Sequence, residues 1–339
     1  MTDDWKRQMD RLHAALVRRD DPAAWVTEAD AVDASYRYPY VALRGPVFGL
    51  AAQDPRTGSH WSLVRPVTNG TPQQARDELN SLLWFRAKDD TDDRAVRRAL
   101  LAAVDVLDRE PVNEVDVLGV RYRVVRGDEF ARSDKDGNLE PPRPTDVEPV
   151  DLTWDKDDKS PSPDIDFALD ADREDGVMAG AMKLGLRDFT YAGPRFPTDV
   201  RKDSEQAVTA CPDIVLLPVG FGVAERNGKG WLPRGSLMST PHGARQLLYG
   251  QLTETWPLVR DFDADQKAVY AQAAEEFRAA GRANEVRVSG SLFRISRIER
   301  FVRVGPDGPE QPRASDQDGY GPMKIHPTMD EDGTLHYDD

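Results

Sequence analysis

Residues 113–132 read NEVDVLGVRYRVVRGDEFAR, and residues 284–303 read NEVRVSGSLFRISRIERFVR. Nine of the twenty positions are identical, where chance gives roughly one or two. Downstream, Asp136-Gly137 pairs with Asp307-Gly308, and Glu140, Pro142, Arg143 and Asp146 pair with Glu310, Pro312, Arg313 and Asp316. Upstream, Thr71-Pro72-x-x-Ala75-Arg76 matches Thr240-Pro241-x-x-Ala244-Arg245, Trp61 matches Trp231, and Phe48-Gly49 matches Phe221-Gly222. The offset drifts only between 169 and 173 residues, so insertions fall in the connections. The chain therefore reads as a tandem duplication: repeat unit A over 1–146, an acidic Pro-rich linker over 147–172, repeat unit B over 173–316, and an acidic tail over 317–339.

Both copies must satisfy one assignment of secondary structure. An amphipathic helix over Asp4–Arg19, with Trp5, Met9, Leu12 and Leu16 on one stripe, opens the first unit, and the segment around Val177–Arg187 answers it in the second. A strand follows near Val41–Gln53, matched by Ile214–Glu225, and turn signals then lead to a strand carrying Trp61 or Trp231. Thr71 and Thr240 are N-caps with Pro72 and Pro241 at the first helical position, where a missing N–H costs nothing. Further helices are expected over Thr91–Arg109 and Ala264–Ala280. The NEV segments begin strand pairs that bend at Gly119 and Gly290. The order is α-ββ-αα-ββ, an α+β fold of antiparallel sheets covered by helices and arranged as a pseudo-twofold pair. Trp154 is an apolar anchor in the polar linker, while the Gly-containing tail reads as poorly ordered.

Composition narrows the partners. Lys and Arg total 45 against 60 Asp and Glu, a net charge of −15, which argues against nucleic acid and anionic membranes. No apolar run approaches the roughly 18 residues of a membrane span, and the charged start has no signal-peptide core. A cytoplasmic protein is expected. Cys211 is the only cysteine, which excludes a disulfide framework and cysteine zinc sites; beside Pro212 and an apolar run, it reads as inert packing.

No phosphate-binding loop, dinucleotide fingerprint, nucleophile elbow or HExxH motif is present. The five histidines are scattered, and His326 and His336 lie among tail carboxylates with no rigid element to space them. No catalytic residue, metal or cofactor is assigned. Glu114 and Glu285 repeat beside an asparagine, either as paired acid/base groups or as supports of a turn. The repeated arginines carry more chemistry: Arg123, Arg126, Arg132 and Arg143 recur as Arg294, Arg297, Arg303 and Arg313. On a strand with Tyr122 and Val124 facing the core, Arg126 shares their side, so it needs a carboxylate or an anionic ligand. An internal ion pair is the default in so acidic a chain.

The Trp5-containing helix, the TP-x-x-AR helix, the NEV strand and the DG-x-x-E-x-PRP exit together resemble an uncharacterised actinobacterial family of unknown function over most of the chain. That resemblance implies a bacterial cytosolic origin and brings no catalytic residue. The reading expects a non-enzymatic binding or scaffold protein that docks a protein partner through a duplicated module. The alternative is an enzyme or small-molecule binder with an anion-recognising cleft, clamped by Arg126 and Arg297, between the repeats. What separates them is whether those arginines converge on an open pocket or are each sealed by a carboxylate.

Overall fold

The computed structural model describes residues 21–58, 60–150, 152–154 and 162–337. The helix expected over Asp4–Arg19 lies outside them. The first described element is a helix the sequence reading did not place, α1 (Pro22–Arg37), capped by Asp21, whose carboxylate accepts from Ala23 N at 2.9 Å. It buries Ala34 and leaves most of its length to solvent, so it carries no strong apolar period.

The first half continues with β1 (Tyr40–Gln53), β2 (Ser62–Asn69), α2 (Pro72–Asp89), α3 (Arg94–Leu107), β3 (Glu114–Val117) and β4 (Val120–Ser133). The second half contains α4 (Val177–Arg187), α5 (Thr198–Ala210), β5 (Asp213–Leu216), β6 (Gly220–Asn227), β7 (Gly230–Met238) and α6 (Pro241–Gly250). A π turn (Gln251–Thr255) and a short α7 (Trp256–Val259) lead to α8 (Ala264–Ala279), then β8 (Glu285–Val288) and β9 (Ser291–Gly305).

The Thr-Pro signals act as read. Thr71 accepts from Gln74 N while the Gln74 side chain caps Thr71 N at 3.3 Å, and Thr240 accepts from Gly243 N at 3.0 Å. The bends at Gly119 and Gly290 are two-residue hairpin turns with both residues left-handed: Leu118 and Gly119 at φ 55° and 78°, Ser289 and Gly290 at 48° and 82°. Glycine takes the second position of each at no steric cost.

The strands form one antiparallel sheet in the order β2-β1-β4-β9-β6-β7, curved until it nearly closes as a barrel. At its centre β4 meets β9, with Gly127 opposite Val302, Glu129 opposite Arg300 and Ala131 opposite Ile298. Helices cover the ends of the sheet. Leu79, Leu83, Leu100 and Val104 of α2 and α3 pack on Phe48, Tyr122 and Val124. Leu248, Tyr270 and Phe277 of α6 and α8 pack on Phe221, Phe293 and Ile295. The class is therefore mixed helix and antiparallel sheet.

Several elements differ from expectation. The strand expected over Ile214–Glu225 is two, β5 and β6, broken at Pro218, which has no N–H for a ladder. Trp61 stands just before β2, whereas Trp231 lies within β7. Helix α5, whose inward side holds only Ser204 and Ala207 as buried residues, also escaped the apolar pattern. The linker does more than connect. Trp154 stands edge-on to His242, Tyr249 and Phe277, and Ala168 bridges to Ser62 at the rim of the sheet.

The acidic tail, expected to be poorly ordered, instead packs on α2 and α3 as far as Leu335. Trp84 Nε1 donates to Pro327 O at 3.1 Å, His326 stacks on Trp84, and Arg97 Nη1 donates to Glu331 O at 2.8 Å. Arg94 pairs with Glu331 and Asp332, so the tail's charge is matched by basic residues of α3. Deleting residues 320–337 uncovers Trp84 and Arg97. Thermal melts should then show a midpoint lowered by at least about 4 °C, the equivalent of roughly 1–2 kcal/mol in a chain of this size; an unchanged midpoint contradicts the packing.

Candidate functional site

The repeated arginines sit on the two central strands. Beyond β4 and β9 the chain turns at Asp134–Gly137 and Gly305–Gly308 and leaves as an arm, residues 138–146 in the first half and 309–316 in the second. Each arm is tied to its own strand, by Glu140 N to Arg132 O and by Glu310 N to Arg303 O, both at 2.8 Å. Each then crosses to the other half. Arg126 N donates to Glu310 O at 2.8 Å, and Arg297 N to Glu140 O at 2.9 Å.

The side chains follow the same exchange. Arg126 Nη1 meets Asp128 Oδ2 at 2.9 Å on its own strand, and Nε meets Asp316 Oδ2 at 3.0 Å on the other half's arm. Tyr191 hydroxyl donates to Asp128 and accepts from Arg126 Nη2. In the matched cluster, Arg297 pairs with Glu299 on its own strand, and its Nε reaches Asp146 Oδ1 at 3.3 Å on the first half's arm. The arm arginines brace their own loops: Arg143 Nε binds Glu140 at 2.5 Å, and Arg313 Nε binds Glu310 at 2.6 Å. Asp146 and Asp316 also accept from the backbone of Arg143 and Arg313.

Glu114 and Glu285 turn out to be partners of the other arginine pair. Glu114 takes Arg123 Nε at 2.6 Å, and Glu285 takes Arg294 Nε at 2.8 Å. Arg123 Nη1 donates to Asp307 O and Pro309 O, and Arg294 Nη1 to Leu139 O at 2.6 Å, so these two also hold the other half's arm. Each guanidinium lies over a matched tryptophan, Arg123 at 4.7 Å from the Trp61 ring and Arg294 at 5.5 Å from the Trp231 ring. A side chain at Gly308 would collide with Trp61, its Cβ 2.3 Å from Nε1, which explains the glycine there. Arg76 and Arg245 repeat the theme. They take Asn113 and Asn284 from their own halves and Asp318 and Glu148 from the chain beyond the other half's arm.

Burial opposes charge on Arg126, but Asp128 and Asp316 outweigh it and hold the guanidinium above its ordinary value. Burial likewise disfavours the Asp128 carboxylate, yet Arg126 and Arg313 hold its pKa below the usual range. At Asp146 burial wins over Arg297, and the pKa is raised. For Glu114 burial is outweighed by the hydrogen bonds from Arg121 and Arg123, which lower it. Cys211 is pushed up to about 11 by burial and so stays a thiol. Among the described residues no group of three His, Cys, Asp or Glu is placed to hold a metal ion.

One pair escaped the sequence reading. Glu129 and Arg300 align with each other in the similar segments 113–132 and 284–303 and face each other in the β4–β9 ladder. Arg300 takes Asp164 of the linker by both Nη atoms, at 2.5 and 3.0 Å, and donates to Pro218 O. Glu129 takes Arg44 through Oε1 at 2.7 Å, while its buried Oε2 has no partner. The signal available in the sequence was a charge inversion at an aligned position.

Removing one member of a buried pair strands the other, at about 3–5 kcal/mol. Arg126→Ala should lose that much in urea unfolding, with Arg297→Ala losing less because its site is more open. The pH dependence has opposite signs in the two clusters. Asp128 gives its full stabilisation above the ordinary aspartate value, near pH 4, and loses it as pH falls below. Asp146 is easier to protonate folded than unfolded, so its ionisation weakens the fold as pH rises through its raised value. Melts of Asp128→Asn should show a flatter loss between about pH 4 and 2 than the parent. Asp146→Asn should remove part of the opposing slope; unchanged slopes in both would refute the assignment.

No characterised protein sequence and no solved structure matches the chain. One family model does, over residues 21–319, taking in both halves, the linker and the exchanged arms. The chain belongs to this family of unknown function, DUF5954.

Proposed function

We propose that the chain is a tandem duplication, with units over 1–146 and 173–316 joined by the 147–172 linker, that works as a non-enzymatic binding or scaffold protein for a protein partner. The observation that carries this reading is that Arg126 and Arg297 are each engaged by two carboxylates of the chain itself, and that the cavity of about 330 Å³ that Arg297 lines with Arg132, Arg143 and Arg300 does not include Arg126. An anionic substrate would have to displace Asp316 or Asp146 from a buried site. The β4–β9 register supports the duplication, because exchanging matched positions leaves the pairing unchanged about the Glu129–Arg300 pair. The arms supply the interface that a homodimer of single units would have.

Outward-facing chemistry lies elsewhere. Trp25 and Tyr36 of α1 are 51% and 80% exposed, and Tyr40 at the start of β1 is 56% exposed. Exposed aromatics on neighbouring elements suit a protein interface. A cytoplasmic, bacterial setting belongs to the same proposal.

Affinity capture from the native cytosol at moderate salt, quantified by mass spectrometry, tests the reading. The parent should recover one stoichiometric protein, and the Trp25→Ala/Tyr36→Ala variant should recover at least tenfold less of it. Recovery of the chain alone, with a metabolite thermal shift that Arg126→Ala and Arg297→Ala abolish, would transfer the assignment to the anion-binding cleft.

A further inference from the structure

The two rims of the sheet are finished differently. At the β2 rim, residues 164–169 of the linker run along the edge: Leu63 N donates to Phe167 O at 2.9 Å, Asp166 N to Leu63 O at 2.9 Å, and Leu169 N to Trp61 O at 2.8 Å. Phe167 and Leu169 fill an apolar space beside Ala51, Trp61 and Val302. Asp164 anchors this strip on Arg300. At the other rim, β7 pairs only with β6 among the described residues.

The space that would match the filled one is an open cavity of about 490 Å³ between β7 and the start of β1. Its wall holds Ala224, Trp231 and Ala131, the counterparts of Ala51, Trp61 and Val302. Glu129 stands in that wall where the filled side has Arg300, with 3% of its side chain exposed and Oε2 unpartnered. The two spaces thus share walls and differ in the sign of the anchoring charge. Arg44, Arg195 and Lys229 also line the cavity and are all exposed; Arg44 pairs with Glu129 Oε1, and the buried Oε2 is left without a donor.

We infer that the β7 rim receives an extended segment of a partner protein, one carrying a Lys or Arg that reaches Glu129, followed three and five residues later by apolar side chains that enter the cavity. The inference rests on the binding reading above and names its site. The occupant is a peptide because the matched rim is finished by one. It is basic at the anchor because Arg44 meets only Oε1, and the buried Oε2, costly without a donor, is best satisfied by the N–H groups of a cation. Pro233 stands where the other rim has Leu63, so one of the three backbone bonds is lost for want of an N–H. The carbonyls of Trp231 and Pro233 remain to accept the other two. The same proline keeps a second copy's β7 from pairing edge to edge.

The test uses the full chain and a displayed library of decapeptides patterned on residues 162–171. The third position varies over Asp, Asn, Lys and Arg, and the sixth and eighth over apolar residues. Selection should enrich Lys or Arg at the third position. The selected peptide, read by fluorescence anisotropy, should bind at least tenfold more weakly to Glu129→Gln, and Ala224→Leu, which fills the cavity without touching the carboxylate, should bind it no better. The second variant keeps the test decisive if Glu129→Gln melts early. Enrichment of Asp, no enrichment, or affinity for both variants equal to the parent's would overturn the site. Arginine methyl ester binding as tightly as the peptide would replace the peptide with a small cation. A cytosolic partner captured equally by the parent and Glu129→Gln would remove this site and leave the binding reading standing.

Discussion

Five residues of β4 facing five of β9 make two half-sheets into one, and the rest of the molecule depends on that ladder. It places Arg126 and Arg297 on either side of a common centre, each within reach of the chain leaving the opposite strand. Without the ladder, the arms would have nothing to cross to. With it, Asp316 and Asp146 arrive at buried arginines as second carboxylate partners beside Asp128 and Glu299.

Such a buried network sets arrangement more than it adds net stability. The attraction between a buried guanidinium and a carboxylate goes largely to offsetting the desolvation of both. What the clusters do supply is selectivity: an arm docked in another register would leave both charges unmatched. The carboxylates around the two arginines sit in different environments: Asp128, on the strand of Arg126, is held ionised by two arginines, whereas burial raises the pKa of Asp146, on the arm that meets Arg297.

Much of the framework was legible from the chain itself. Thr-Pro punctuation fixed the starts of α2 and α6, and the apolar alternation around Tyr122 and Phe293 located β4 and β9. The need of the inward arginines for carboxylates followed from their side of the strand. Which carboxylates those were did not, because similarity between Asp146 and Asp316 is the same whether each arm folds back or crosses over. Helices α1 and α5 were missed for another reason: they bury so few residues that no stripe is written into them. Order in the tail was hidden by its composition, since acidic residues answering Arg94 on a neighbouring helix look like solvated ones. The open rim beside Glu129 was hidden too, because two similar segments are usually read for what they share rather than for where one has Glu and the other Arg.

The crossing arms also set a schedule for synthesis. A growing chain makes Arg126 long before it makes Asp316, and β9, the strand that β4 must pair with, has not yet been synthesised when β4 emerges. The first half therefore waits, with a central edge unpaired and an arginine unanswered, until nearly the whole of the second has been translated. Closure then comes late and all at once, as both arms find their places against a completed sheet.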